Sequence, residues 1–110
     1  MIGRRDRFYL SNILDAANKV LSYVGDLGRD GFVEAPLVQD AVIRQLEIVG
    51  EATKRISDEF RDDHPDIPWK DMAGTRDKLI HDYLGVDIDS VWKTAREDIP
   101  QLIRLIEAVL

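Results

Sequence analysis

Residues 76–83, Arg-Asp-Lys-Leu-Ile-His-Asp-Tyr, place an arginine, a histidine and a tyrosine within one short stretch of helical character. The chain has two histidines, and histidine is the side chain whose ordinary titration suits a general base near neutral pH. His64 stands between Asp63 and Pro65 in a polar connection and reads as a solvated loop residue. His81 has better neighbours. At about 100° per helical residue, Asp77 and His81 form an i, i+4 pair, so the carboxylate can accept from one ring nitrogen and fix the tautomer that the other presents. Arg76 and Tyr83, seven residues apart, fall on nearly one face. His81 lies about 140° around from Arg76 on a regular helix, so these two converge only if the helix unwinds near Gly74 or a second copy contributes. Two such helices facing each other across a two-fold axis would bring each histidine to an arginine in a shared cleft.

Histidine moves protons, arginine holds phosphate oxygens bidentately, and tyrosine stacks or donates a hydrogen bond. Cleavage of a phosphodiester uses that combination. In RNA the 2′-hydroxyl is an internal nucleophile, so a base, an acid and a positive charge on the phosphate suffice without a metal. The same residues also read as an ordinary surface strip, with Arg76 and Lys78 paired to neighbouring acids, Tyr83 at a core edge and His81 half-buried. A short motif does not by itself separate the two readings.

Other residues have competing readings as well. Glu51 and Lys54, one helical turn apart, either border that shared cleft or form a solvated pair within their helix. Lys78 is equally an RNA contact or a surface lysine. Trp69 and Trp92 sit beside apolar neighbours at helical spacing and read as bundle anchors rather than stacking platforms. The acidic run Asp58-Glu59 and Asp62-Asp63, with His64 and Asp66, reads as a solvated helix end and loop in preference to a metal nuclease centre.

The elements that must position these residues are helical, because apolar residues recur at steps of three and four and no useful length alternates as a strand does. Leu10, Ile13, Leu14, Ala17, Val20, Leu21 and Val24 predict a first helix from about Asp6 to Leu27, followed by a turn at Gly28-Arg29-Asp30-Gly31. A second helix is expected from Pro36 to near Arg61, ended by Pro65 and Pro68. The third region is a short turn of helix from Trp69 to Ala73 and, beyond Gly74, a piece from Thr75 to Leu84 with Gly85 as C-cap. The fourth carries Ile88, Val91, Trp92, Ala95, Ile99, Leu102, Ile103 and Ile106, with Asp87 or Asp89 as N-cap and a kink or restart at Pro100. The expected architecture is all-α, an antiparallel up-and-down bundle of four to five helices forming one domain over residues 1–110.

Composition bounds the function. The chain has 110 residues, of which 45% are hydrophobic, enough for one core, and no cysteine, so it has neither disulfides nor thiolate chemistry and suits a reducing cytoplasm. Its start lacks the unbroken apolar run of a signal peptide, and no window approaches a membrane span of about 20 residues. With 15 Lys and Arg against 21 Asp and Glu, the net charge is −6, which argues against coating DNA or an anionic membrane through bulk charge.

Arg76-x4-His81-x-Tyr83 resembles the active-site signature of the HepT-like toxins, a branch of the HEPN ribonuclease superfamily. Gly50-Glu51-Ala52-Thr53-Lys54-Arg55-Ile56-Ser57, Ile67-Pro68-Trp69-Lys70, Gly74-Thr75-Arg76-Asp77 and the closing helix from Trp92 to Leu110 are similar to that family in order and spacing. The resemblance implies the toxin of a type VII-like toxin–antitoxin pair, a homodimeric endoribonuclease that needs neither metal nor cofactor. It implies that Arg76 neutralises the scissile phosphate, that His81 transfers protons, and that Asp77 is the polar residue after the arginine. It also implies a minimal nucleotidyltransferase antitoxin that moves AMP from ATP onto Tyr83. The other reading compatible with the resemblance is a non-catalytic HEPN module that binds nucleotide or serves a nucleotidyltransferase as an interaction subunit.

Overall fold

The computed structural model describes residues 2–74 and 87–110, and every regular element among them is helical. Helix α1 (Arg4–Val24) buries Leu10, Ile13, Ala16, Ala17, Val20 and Val24 on one stripe. It stops at Val24, the last residue of its apolar stripe and short of the expected Leu27, because Gly25 turns the backbone to φ +53° while its N–H still reaches the Leu21 carbonyl at 2.9 Å. That left-handed conformation is open to glycine at little cost and ends the helix before Asp26 and Leu27.

The stretch expected as a turn at residues 28–31 instead begins a short helix, α2 (Arg29–Val33). Phe32 explains the difference: the extra turn drives its ring wholly into the core, where it packs on Trp92 with centroids 5.4 Å apart. The amide of Gln39 donates to the carbonyls of Phe32 at 2.9 Å and Val33 at 2.8 Å, reinforcing the end of α2, where the Phe32 carbonyl also accepts from the Ala35 N–H at 3.1 Å. Arg29 reaches across to Asp89 at 2.8 Å, and that hydrogen bond and charge raise the guanidinium pKa further.

Helix α3 (Pro36–Lys54) runs back along α1. It ends at Lys54, short of the expected Arg61, and a separate helix α4 (Asp58–Asp63) follows. Ser57 makes the break. Its Oγ accepts from the Phe60 N–H at 3.2 Å as the N-cap of α4, while its own N–H and hydroxyl donate to the two carboxylate oxygens of Asp6 at 2.8 and 2.6 Å. Because Asp6 lies in the first turn of α1 and Ser57 just beyond the end of α3, these bonds fix the two long helices antiparallel.

After a helical stretch at 69–74, the described chain resumes at Asp87, which caps α5 (Ile88–Lys93) by accepting from the N–H groups of Asp89 and Ser90. A π-helical turn at Thr94–Asp98 then leads into α6 (Ile99–Val109). The restart expected at Pro100 has this form: the Ile99 N–H bonds to the Thr94 carbonyl five residues back, and the widened turn accommodates a residue that has no N–H to give. Ala95 on the turn and Ile99, Leu102 and Ile106 beyond it face the core against α1. No helix among the described residues is long and apolar enough to cross a membrane.

Candidate functional site

Arg76, Asp77, Lys78, His81 and Tyr83 lie outside the described residues, as do the helical piece expected at 75–84 and its cap at Gly85. What the structure defines is the ground on either side of them. On the N-terminal side, the loop after α4 closes through the Ile67 N–H to the His64 carbonyl at 3.2 Å, and the Trp69 indole N–H donates to the same carbonyl at 2.9 Å. Pro68 then opens the stretch 69–74, with the Met72 N–H on the Pro68 carbonyl at 3.1 Å. Ile67, Trp69 and Met72 are all buried, so the backbone that delivers the chain to Thr75 is anchored by three side chains in the core. On the C-terminal side, the Ser90 hydroxyl adds a bond of 2.9 Å to the Asp87 cap, and Val91 is buried just behind it.

His64 is not the solvated loop residue that its neighbours suggest. It ends α4 half-buried, with its ring 4.3 Å from that of Phe60, because the close turn into Pro68 folds it back onto the helix it follows. Trp69 and Trp92 are anchors as expected: Trp69 is buried edge-on to Phe60, and Trp92 is half-buried between Phe32 and the Arg96 guanidinium. In the acidic run, Asp58 accepts from Arg61 at 2.8 Å, and among the described residues no three His, Cys, Asp or Glu are grouped to hold a metal ion.

Two hollows open on the described surface. One, of about 260 Å³, has an apolar floor that includes Leu46, Met72 and Leu102, with Asp66, Asp71 and Asp98 also lining it. Three carboxylates make it a poor seat for a phosphodiester. The other, of about 360 Å³, runs between α1 and α3 and is lined by Tyr9, Asn12, Arg44, Glu47, Glu51 and Arg55 among others. Glu51 lines this hollow and accepts from Arg55 at 3.3 Å, whereas the cleft expected at Arg76 and His81 lies outside the described residues. Lys54 is exposed at the last position of α3 and does not line this cleft. Sequence reasoning misses Tyr9, Asn12, Arg44 and Arg55; the signal that could have found them is their recurrence at helical spacing on two helices that pack together.

The sequence profile described as Ribonuclease HepT-like matches residues 13–109. A proposed RNase of Methanocaldococcus jannaschii is 39% identical over 109 residues, covering 98% of this chain and 100% of that protein. A probable ribonuclease HepT of Thermococcus cleftensis is 46% identical over 99 residues, or 90% of each chain. A proposed RNase of Caldanaerobacter subterraneus is 40% identical, covering 94% of this chain and 93% of its own. No solved structure matches the chain at a significant level.

Proposed function

Because the chain belongs to the HepT-like ribonuclease family, we propose that it is the toxin of a toxin–antitoxin pair, an endoribonuclease that cuts RNA without a metal. The observation that carries this reading is Arg76-x4-His81-x-Tyr83 lying inside a family match that spans most of the chain. His81 takes the proton of the 2′-hydroxyl, the freed oxygen attacks phosphorus, and the bond to the 5′-oxygen breaks. That oxygen leaves with a proton supplied by a histidine, so the products are a 2′,3′-cyclic phosphate and a 5′-hydroxyl. Arg76 neutralises the non-bridging oxygens as charge builds on them. Asp77, four residues before His81, orients the imidazole.

The working unit in this account is a homodimer. On a regular helix Arg76 and His81 diverge by about 140°, and two copies across a two-fold axis supply both groups to one cleft. Silencing falls to a minimal nucleotidyltransferase: the Tyr83 hydroxyl attacks the α-phosphate of ATP, a tyrosyl O–P bond forms, and pyrophosphate leaves. The AMP group then sets a bulky anion where the RNA phosphate would sit.

Induced expression tests the toxin reading. The unaltered chain should arrest growth and the His81→Ala variant should not. Arrest that persists in the variant would favour the non-catalytic reading, an interaction subunit of a nucleotidyltransferase. For the silencing step, the intact mass of the chain co-expressed with a cognate nucleotidyltransferase should rise by one or more AMP units, and the Tyr83→Phe variant should show no increase.

A further inference from the structure

We propose that the open face at the start of α1, continued into the cleft between α1 and α3, is a second binding surface for single-stranded RNA, apart in sequence from residues 76–83. The proposal rests on the ribonuclease reading and extends it from the scissile phosphate to the strand that carries it.

Charge is the first observation. On a molecule of net charge −6, Arg4, Arg5 and Arg7 crowd into the first turn of α1, all three exposed and without an acidic partner among the described residues. Asp6, the acid between them, gives both its oxygens to Ser57. A first helical turn favours anions, so three arginines there oppose the helix dipole, and no ion pair among the described residues offsets that cost. An anionic ligand would.

Aromatic placement is the second. The Arg5 guanidinium lies 5.8 Å from the centroid of the Tyr9 ring, and Phe8 meets Tyr9 edge-on at 5.1 Å. Phe8 is 59% exposed. A lone exposed phenylalanine means little, but one set among three unpaired arginines and a tyrosine is a stacking platform beside phosphate-binding groups, the pairing that single-stranded RNA sites use.

The third observation is the cleft itself, about 360 Å³ and directly continuous with this platform through Tyr9. Asn12, Glu47 and Glu51 offer it donors and acceptors for base edges. Arg44 and Arg55 are themselves exposed and reach Glu47 and Glu51 at 3.8 and 3.3 Å, pairs near the protein surface that are weak enough to yield to a phosphate.

Rival occupants fit less well. A second copy meeting this face across a two-fold axis would oppose the unpaired arginines to themselves. A lipid surface asks for more apolar anchorage than Phe8 supplies.

The test uses the full chain with His81→Ala, so that RNA is bound but not cut, and fluorescence anisotropy with labelled single-stranded RNAs of about 6 and about 20 nucleotides. The longer RNA should bind at least about tenfold more tightly. Adding Arg4→Gln with Arg7→Gln should remove most of that gain and flatten the log–log salt dependence by about 1.4, two phosphates at about 0.7 each. Phe8→Ala should weaken the longer RNA about fivefold or more with the salt slope unchanged, since stacking carries no charge. All three positions are exposed, and thermal unfolding of each variant checks the fold. If these variants bind the long RNA like their parent while the unaltered chain still cuts RNA, this surface is wrong and the ribonuclease reading stands. If the unaltered chain neither binds nor cuts any RNA, both fall. Binding to phosphatidylserine vesicles that is lost in the double arginine variant, with RNA affinity unmoved, would overturn the proposal in favour of a lipid surface.

Discussion

Asp6 holds Ser57 by its N–H and its hydroxyl at once, joining two positions that are 51 residues apart in sequence. Asp6→Ala should therefore lower stability by about 1.5–3 kcal/mol, the range for a hydrogen bond to a charged group, measured by urea unfolding. An unfolding midpoint equal to the parent's would show that the junction holds nothing. At the arginines the sign reverses: Arg4→Gln with Arg7→Gln relieves cations set against the helix dipole, so its thermal midpoint should equal or exceed the parent's. A clear drop would mean that these side chains support the fold. Residues with local patterns are legible from the order of residue types alone. A cap at Asp87 or Asp89 is such a pattern, and the structure selects Asp87, whose partners Asp89 and Ser90 follow it closely. Asp6 with Ser57 leaves no such trace, since a bond between distant positions has no spacing rule. Arg76, His81 and Tyr83 stand out in the sequence by residue type and spacing, and they lie outside the described residues.

Elements are legible in kind and less so in extent. The apolar stripe of the second long segment runs through Val49, Ala52, Ile56 and Phe60 at steps of three and four, in phase across the break that Ser57 makes. Periodicity reports burial, and all four residues are buried, so it could not reveal that the helix had ended between them. At Gly28–Gly31 the glycines point to a turn, whereas the burial of Phe32 decides for helix. That contest predicts a large effect: Phe32→Ala, which removes a fully buried ring and its packing on Trp92, should cost about 3–5 kcal/mol in denaturant unfolding. A loss under about 1 kcal/mol would mean that α2 is held by other contacts, Arg29 to Asp89 among them. Pro100 signals a restart, yet the form of the restart, a π turn at Thr94–Asp98, depends on hydrogen-bond geometry that residue types alone do not specify.

For the whole molecule, a net charge of −6 excludes attraction by bulk charge and leaves room for local attraction. Three carboxylates, Asp66, Asp71 and Asp98, line one hollow, while three unpaired arginines, Arg4, Arg5 and Arg7, stand together at the start of α1. An RNA engaged by so acidic a body depends on a few cationic contacts, so binding should weaken steeply as salt rises from about 50 to about 200 mM. Family membership places the chain among ribonucleases, and in the proposed reaction His81 moves protons while Arg76 neutralises the phosphate, without a metal. The most direct test is to incubate the purified chain with single-stranded RNA in excess EDTA and identify the new ends by mass. The account predicts cleavage leaving a 2′,3′-cyclic phosphate and a 5′-hydroxyl, lost in His81→Ala. Cleavage that requires Mg²⁺, or that His81→Ala leaves intact, would contradict it.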